Sequence, residues 1–324
     1  MSTLSRCTSA ILGRMLRSAA IDRVSSRLQA VPAAGVALLV LVLLNLMWGG
    51  SLPATKVALL SFGPFTLAAA RLVLAAALFV GVLGPAAVRR VPLADGLRMA
   101  GLGVIGFACV QVFQALGTSQ TSGATATVLA STAPLWIAVL APVLLREPLR
   151  ATSLVGLVMA LTGVAVIMGV GLDQPRELAG TVTANLIVLL SSVSAALYTV
   201  LGKPLVARYS PLTFCTLSCL GGAAASLPLG LWELAMNPVS PTPVGWILLA
   251  YLGVMVTFVG FGVWFWGLRA LPASRAGALM FLQPVSGLVL ASLVLGDRLT
   301  ATFLLGCGLV LAGVYLAVAR TSSP

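Results

Sequence analysis

The sequence contains no histidine and few charged side chains, with 8% of its 324 residues charged and only seven of them acidic. The absence of histidine removes the commonest general base at neutral pH and the commonest metal ligand. Soluble domains are roughly a quarter charged and about half apolar, whereas this chain is 60% hydrophobic and has a mean hydropathy of +1.10. A soluble protein of this length could not bury so much apolar surface. The composition therefore predicts an all-α membrane protein.

The five cysteines exclude further classes of protein. They are odd in number and scattered through apolar runs, which argues against a disulfide scaffold. Cys215 and Cys219 share one helical face, but two thiols alone make a poor zinc site. We therefore interpret the thiols as small buried hydrophobic groups, and we expect no metal and no cofactor.

Ten apolar segments have roughly the 20-residue length that is needed to cross a bilayer. Short connections, often with Gly or Pro, separate them. Numbered as spans 1 to 10, they comprise residues 34–55, 65–83, 99–118, 122–145, 153–170, 181–200, 211–231, 244–266, 275–295 and 302–319.

The basic residues orient these spans. With the N-terminus in the cytosol, 15 of the 19 Lys and Arg residues fall in cytosolic segments. Three lie in external connections (Lys56, Arg176 and Arg298), and Arg71 lies within span 2. This asymmetry follows the positive-inside rule and predicts a multi-pass protein of the cell membrane with both termini in the cytosol. It also accounts for the net charge of +12, so the lipid bilayer is an expected partner and nucleic acid is not.

Residues 1–32 differ from the rest of the chain because they hold five arginines against one acid, Asp22. We interpret them as a cytosolic or interfacial tail that is held near anionic lipid. A targeting segment is the alternative.

The two halves of the chain resemble each other. Five positions reappear 150 residues later with the same residue type, and Glu147 is matched by Asp297. Earlier in each half the offset is 147 residues, as for Lys56 and Lys203. The five matched pairs are Gly117 and Gly267, Ala126 and Ala276, Pro134 and Pro284, Gly156 and Gly306, and Gly163 and Gly313.

Each repeat contains five spans, an odd number, so the second copy must enter the membrane from the opposite side. The expected architecture is two inverted five-helix repeats, at residues 33–170 and 181–320, joined by a linker at 171–180. Inverted repeats suit alternating access, because the halves can exchange conformations and open one site to either face.

The order of several motifs carries a family resemblance. Span 1 ends with Asn-Leu-Met-Trp-Gly-Gly-Ser at residues 45–51, span 2 carries Arg71, and span 4 runs to Arg146-Glu147-Pro148. Over residues 34–319 the chain resembles the ten-helix EamA group of the drug/metabolite transporter superfamily. The resemblance implies two five-helix repeats around a central cavity lined by spans 1, 3, 4, 6, 8 and 9. It also implies transport of small metabolites, often outward.

Several polar side chains within the spans are candidates for that cavity. Amides, hydroxyls and aromatic rings at helical spacing would form a neutral hydrogen-bonding site with aromatic walls, although amides can also join helices to each other. Trp264 could instead be an interfacial anchor. The candidate substrate-binding residues are Asn45, Trp48, Arg71, Gln111, Gln114, Ser191, Tyr198, Trp264 and Gln283.

More specific roles are expected for Arg71 and for two prolines. A guanidinium inside a span binds a carboxylate or phosphate, snorkels to the headgroups or makes a structural pairing with backbone carbonyls. Pro134 and Pro284 fall near the centres of spans 4 and 9, where a proline kinks a helix, and we expect both to be hinges. The acids all lie in loops or at span ends, and Glu147 is expected to cap a helix or to pair with a nearby arginine such as Arg146.

These observations predict an integral-membrane transporter rather than an enzyme, because no nucleophile–base pair, acid cluster or metal site is visible. The expected substrate is a small metabolite, with amino acids first and export the expected direction. The alternative is a multidrug efflux transporter. Related small multidrug exporters use a glutamate in their first span, where this chain has Asn45, which weakens the case for proton-driven drug export. A homodimer is left open.

Overall fold

A computed structural model describes residues 32–120, 126, 129–167, 182–237, 240–295 and 301–318. All regular secondary structure in this part of the chain is helical. The N-terminal tail up to residue 31 and the 171–180 linker lie outside it, so the interpretation of both stays a prediction.

Helix occurs in each of the ten predicted spans. Two π-helical segments interrupt spans 3 and 8, namely π1 (Val104–Cys109) and π2 (Tyr251–Val259), and a 3-10 turn (Leu279–Phe281) interrupts span 9. The α-helices are α1 (Ala34–Trp48), α2 (Ser51–Ala58), α3 (Pro64–Leu83), α4 (Pro85–Arg89), α5 (Leu93–Gly103), α6 (Val110–Gln120), α7 (Ala133–Leu145), α8 (Ala151–Ile167), α9 (Val182–Arg208), α10 (Pro211–Met236), α11 (Pro243–Ala250), α12 (Gly260–Leu268), α13 (Ala273–Ala278), α14 (Leu282–Leu295) and α15 (Ala301–Val318).

Six helical segments are long and apolar enough to cross a membrane, and three shorter apolar helices lie in spans 4, 5 and 10. Many large apolar side chains on the outer surface, such as Leu39 and Leu60, are exposed, as expected where a protein meets lipid. The six long segments are Ala34–Ala58, Pro64–Leu83, Leu93–Gln120, Val182–Arg208, Pro211–Met236 and Pro243–Leu268. The shorter ones are Ala133–Leu145, Ala151–Val166 and Leu304–Ala317.

Glycines bring the backbones of α8 and α15 together. A Cβ atom on Gly156 would lie 2.5 Å from the carbonyl oxygen of Gly313, and one on Gly163 would lie 2.7 Å from that of Gly306. Small residues allow membrane helices to approach this closely. In the sequence repeat, Gly156 matches Gly306 and Gly163 matches Gly313. The contacts are crossed, since Gly156 meets the match of Gly163, and Gly163 meets the match of Gly156.

The two π-helical segments occupy equivalent positions in the two halves, since π1 and π2 begin 147 residues apart. Each has a glycine at the same offset. A Cβ on Gly106 would lie 1.9 Å from the ring of Tyr198, and a Cβ on Gly253 would lie 2.7 Å from the side chain of Leu74. π-helical turns within α-helices are frequent at functional sites.

The positions of Pro134 and Pro284 correct the sequence-based expectation that they lie mid-helix. Pro134 is the second residue of α7 and follows a turn at Ser131 and Thr132. Pro284 is the third residue of α14 and follows the 3-10 turn. Proline lacks an N–H and its ring clashes with the carbonyl of residue i−4, so each span is interrupted just before its proline rather than kinked through it.

Glu147 caps a helix, which is one of the two roles expected of it, and its ion-pair partner is a lysine of the second half. Its carboxylate pairs with the ammonium group of Lys203 in α9 and accepts a hydrogen bond of 2.7 Å from the backbone N–H of Ala273, the first residue of α13. Glu147 therefore caps a helix of the second half from the first half.

Two further acids join helix ends. Glu233 in α10 accepts hydrogen bonds from the backbone N–H (2.7 Å) and the hydroxyl (2.8 Å) of Thr66, at the start of α3. Asp95 in α5 pairs with Arg208 at 3.1 Å and accepts a hydrogen bond from the hydroxyl of Tyr209. That hydrogen bond raises the pKa of Tyr209 above its ordinary value.

Candidate solute-binding cavity

A cavity of about 340 Å³ lies between the two halves of the chain. Its walls come from spans 1, 3, 4, 6, 8 and 9, and span 2 contributes Arg71. Among the described lining residues, Pro53 and Lys56 in α2 are exposed and mark the mouth. The other lining residues are Trp48, Gly49, Ser51, Leu52, Val110, Gln111, Gln114, Thr118, Ala126, Ala130, Ser131, Ala133, Ser191, Ser192, Ala195, Thr199, Val256, Phe261, Trp264, Met280, Gln283, Pro284 and Gly287.

The cavity brings together most of the residues that the sequence analysis selected. Asn45 and Tyr198 do not line it, and Pro284 lines it whereas Pro134 does not. The selected substrate-binding candidates that do line it are Trp48, Arg71, Gln111, Gln114, Ser191, Trp264 and Gln283.

Asn45 lies just behind the wall and holds one of its residues. Its Oδ1 accepts a hydrogen bond of 2.8 Å from Nε2 of Gln283, and its own Nδ2 donates to the carbonyl of Leu41 at 2.7 Å. Asn45 is completely buried. It therefore fixes the orientation of the Gln283 amide, which faces the cavity, but is not itself a lining residue.

Tyr198 was expected in the cavity wall and instead belongs to an aromatic cluster beside it. Its ring stacks on Phe214 with centroids 5.4 Å apart and meets Phe265 edge-on at 5.0 Å. Its hydroxyl and that of Ser218 are 2.7 Å apart and hydrogen-bonded. Tyr198 lies seven residues beyond Ser191, on nearly the same face of α9 but about 10 Å further along the helix, where the neighbours of the helix are aromatic rings rather than the cavity.

Arg71 is a buried cation in the cavity wall, with 3% of its surface exposed. Its Nε and Nη2 donate to the hydroxyl of Thr257 at 3.3 and 3.1 Å, and Nη2 also lies 3.4 Å from the carbonyl oxygen of Leu252. Both partners belong to π2 and are neutral. Since the side chain is enclosed by protein, it does not extend along the outer surface as a snorkelling arginine would.

Aromatic rings form one side of the cavity. The Trp48 ring lies 5.5 Å from that of Phe261 and 5.7 Å from that of Trp264, measured between centroids. The indole N–H of Trp48 donates to the carbonyl of Val256 at 3.0 Å, which fixes the ring. Trp264 thus lies inside the protein rather than in an interfacial belt.

A polar row on α6 forms another side. Gln111, Gln114 and Thr118 are spaced at i, i+3 and i+7, so they share one helical face, and all three line the cavity. Gln111 and Thr118 are 4% and 2% exposed. Within the described chain, the side-chain oxygen atoms of both are buried without a hydrogen-bond partner.

Residues just before the interruptions of spans 4 and 9 also line the cavity. Ala130 and Met280, each four residues before a proline, line the cavity. The hydroxyl of Ser192 donates to the carbonyl of Leu129 at 2.9 Å and lies 3.4 Å from that of Ala130. The Leu129 carbonyl also accepts hydrogen bonds from the N–H and the hydroxyl of Thr132, whereas Pro134 has no N–H to donate to the Ala130 carbonyl.

Sequence reasoning missed several lining residues. Thr118 could have been found by extending the i, i+3 spacing of Gln111 and Gln114 by one turn. Phe261 lies three residues before Trp264, and the same spacing identifies it. Lys56 had been assigned only to an external connection, and nothing in the sequence pattern indicates that it lies at the mouth of the cavity.

Comparison with known proteins identifies the family. The sequence profile of the EamA-like transporter family matches residues 35–169 and 182–319. An uncharacterized transporter of Archaeoglobus fulgidus is 30% identical over 289 residues, which are 87% of this chain and 98% of that protein. A protein of Streptantibioticus cattleyicolor named "Probable terminal-alkyne amino-acid exporter" is 32% identical over 285 residues, covering 87% of this chain and 93% of that protein.

A solved crystal structure shares the fold, with a TM-score of 0.72 at 22% sequence identity and coverage of 87% of this chain and 97% of the other. The matched stretches of the family profile include both halves of the chain and all the residues that line the cavity. The chain therefore belongs to the EamA-like transporter family, within the drug/metabolite transporter superfamily, and is a multi-pass membrane transporter.

Proposed function

We propose that the protein exports amino acids or related small metabolites across the cytoplasmic membrane by alternating access. The observation that carries the proposal is a cavity wall that combines aromatic rings with neutral hydrogen-bonding groups and a buried guanidinium. A solute with an apolar part and a polar head fits such a wall. The relative named as an amino-acid exporter supports the same substrate class.

The size of the cavity favours a small solute. Pockets for small molecules have volumes of roughly 300–1,000 Å³, and this cavity, at about 340 Å³, is near the lower end of that range. A metabolite of amino-acid size fits better than a drug-sized compound.

The mechanism rests on ten membrane-spanning helices arranged as two inverted five-helix repeats. The glycine contacts between α8 and α15 support this arrangement. Under a two-fold axis, a contact between two residues is repeated between their equivalents in the other half, as it is for these glycines. The equivalent placement of π1 and π2 supports it as well. Exchange of conformation between the halves would then open the cavity to either face.

In this mechanism Pro134 and Pro284 are the hinges. Both follow an interruption of their span, and the residues four positions earlier, Ala130 and Met280, line the cavity. A change of backbone direction at these points therefore changes the shape of the cavity directly.

The distribution of charge orients the cavity. If both termini are cytosolic, as the positive-inside rule predicts, the mouth at Lys56 faces the outside and the state described here is open outward. Export as the direction is supported by the relative named as an exporter.

Efflux of lipophilic or cationic drugs is the second candidate, and the aromatic side formed by Trp48, Phe261 and Trp264 favours it. The charges of the wall oppose it for cations. The charged residues among the described lining residues are Arg71 and Lys56, and both are positive.

Counterflow in proteoliposomes separates the two candidates. Liposomes are loaded with unlabelled solutes, and entry of labelled neutral amino acids is followed beside empty liposomes. Accelerated, saturable exchange is expected, with a several-fold loss for Gln283→Ala. Exposed Gln120, in α6 outside the cavity, provides the control Gln120→Ala. If amino acids do not exchange and ethidium-type cations do, the proposal is wrong and the protein is a drug-efflux transporter.

A further inference from the structure

Two buried oxygen atoms in the cavity wall have no partner in the protein. The side chains of Gln111 and Thr118 are 4% and 2% exposed, lie on the same face of α6 and line the cavity, and Gln111 Oε1 and Thr118 Oγ1 make no hydrogen bond within the described chain. Buried polar atoms in proteins almost always have a partner. A solute that displaces water from this wall must therefore present hydrogen-bonding groups to it.

The same cavity has a positive charge that no described acid balances. The hydrogen bonds of Arg71 come from Nε and Nη2 and go to neutral oxygens, so Nη1 is left for another acceptor. Lys56 adds a second positive charge at the mouth. The described acids, Asp95, Glu147 and Glu233, are not lining residues and are all hydrogen-bonded elsewhere.

The burial of Arg71 strengthens its preference for an anionic solute over a cationic one. A charge far from bulk water interacts strongly with other charges because the effective dielectric constant is low, and charges inside a membrane normally pair or mark a solute pathway. An entering carboxylate would form a charge-assisted hydrogen bond with Nη1 of the guanidinium. An entering ammonium ion without a carboxylate would be repelled by it.

We infer that Arg71 and Gln111 form a head-group subsite for a carboxylate that has an amino or hydroxyl group beside it. The guanidinium binds the carboxylate through Nη1, and Oε1 of Gln111 accepts a hydrogen bond from the neighbouring amino or hydroxyl group. Thr118 lies seven residues further along α6, about 10 Å at 1.5 Å per residue, so its hydroxyl is left for water or for a second polar group of the solute. The aromatic rings of the wall take the apolar remainder of the solute. The inference rests on the proposed function and narrows it, because amines that lack a carboxylate are excluded as substrates.

A ligand series with one constant side chain tests the inference on the unmodified protein. Leucine, 2-hydroxy-4-methylpentanoate, 4-methylpentanoate, leucinamide and 3-methylbutylamine are compared as inhibitors of counterflow and as ligands that raise the melting temperature of the purified protein. The two substituted acids are expected to act at concentrations at least tenfold lower than the amide and the amine. Equal potency of the amine and the acids would overturn the subsite.

Variants separate the roles of the two main residues. Arg71→Gln should weaken all three acids about tenfold and spare the amide, whereas equal loss for acid and amide would overturn its assigned role. Gln111→Leu should weaken leucine and the hydroxy acid while 4-methylpentanoate keeps its potency. The exposed Gln120 on the same helix provides the control Gln120→Leu, which should leave every ligand unaffected.

Counterflow in liposomes and the melting temperature of the purified protein together distinguish a failure of this inference from a failure of the proposed function. If acids stabilise the purified protein in an Arg71-dependent way but no solute exchanges in liposomes, the subsite stands and amino-acid transport fails. If amines or drug cations exchange and acids neither exchange nor stabilise, the subsite fails and the protein remains a transporter.

Discussion

Lys203 in α9 forms a hydrogen-bonded ion pair with Glu147, just after α7, and so joins the second half of the protein to the first. The ammonium group also donates to the carbonyl of Leu271 at 2.8 Å, and the carboxylate accepts from the backbone N–H of Ala273 at 2.7 Å. One ion pair thus connects the end of span 4, span 6 and the start of span 9.

This ion pair lies at the end of the molecule opposite the cavity mouth. Gly267 packs against Leu41, and Gly260 packs against Trp48, so α12 runs antiparallel to α1. The turn that follows α12 and contacts Lys203 is therefore at the N-terminal end of span 1, whereas the mouth lies at its C-terminal end.

We expect Glu147→Gln to favour the state that is open on the Lys203 side. A hydrogen bond to a charged group contributes about 1.5 kcal/mol or more, so its loss should raise the population of that state roughly tenfold. A single cysteine introduced by Ala195→Cys in a cysteine-free background reports the change through labelling with an impermeant maleimide in inside-out vesicles.

The control for this experiment is Arg98→Gln. Arg98 pairs with Asp95 at 3.4 Å within one helix, and its side chain is 72% exposed, so its loss should change the equilibrium little. Equal labelling of the Glu147→Gln and control proteins would show that the Lys203 pair does not hold this side closed.

Gly156→Ala is expected to destabilise the protein, because the new Cβ would lie 2.5 Å from the carbonyl oxygen of Gly313 and the helices would have to separate. Overpacking of this kind costs about 1–3 kcal/mol. Gly308, on α15, has no atom within 4 Å of its Cβ position, so Gly308→Ala is the matched control. Thermal unfolding in detergent should show a lower midpoint for Gly156→Ala alone, and equal midpoints would contradict the close packing.

Substitutions of Asn45 and Gln283 should have non-additive effects on solute affinity. Asn45→Leu removes the acceptor that orients the Gln283 amide, and we expect it to weaken solute binding about three- to tenfold, the effect of one hydrogen bond of roughly 1 kcal/mol. In a Gln283→Ala background the same change should have almost no further effect, because contacting residues are not additive. The measurement is the solute affinity of the four proteins in a double-mutant cycle. Fully additive effects would show that the Asn45–Gln283 hydrogen bond does not contribute to solute binding.

Pro134→Ala should slow exchange. Alanine restores an N–H that can bond to the carbonyl of Ala130, so the interrupted span would become a more regular helix and a poorer hinge. Pro142 lies in the interior of the same helix and outside the cavity, and Pro142→Ala should leave the exchange rate unchanged. Counterflow rates at saturating solute distinguish the two, and a similar response in both variants would count against a hinge at Pro134.

Much of the cavity could be predicted from polar residues inside the spans. Water-free surroundings make a polar side chain in a span costly, so Gln111, Gln114 and Gln283 stand out from their apolar neighbours, and all three line the cavity. Composition and spacing also predicted helix in every span. The matched glycines of spans 5 and 10, which served in the sequence only to identify the repeat, lie where those helices pack backbone to backbone.

Only the tertiary structure decided which way each helix faces and which distant groups meet. In a soluble helix the polar face reveals the exposed side, but here lipid-facing and protein-facing positions are both apolar. Ser191 and Tyr198 share one face of α9 and are both buried, so only the elements packed around them decide which one meets the cavity. The ion pair of Glu147 with Lys203 joins residues from opposite halves of the chain. Such contacts depend on how rigid helices pack in three dimensions, and local sequence has no information on that packing.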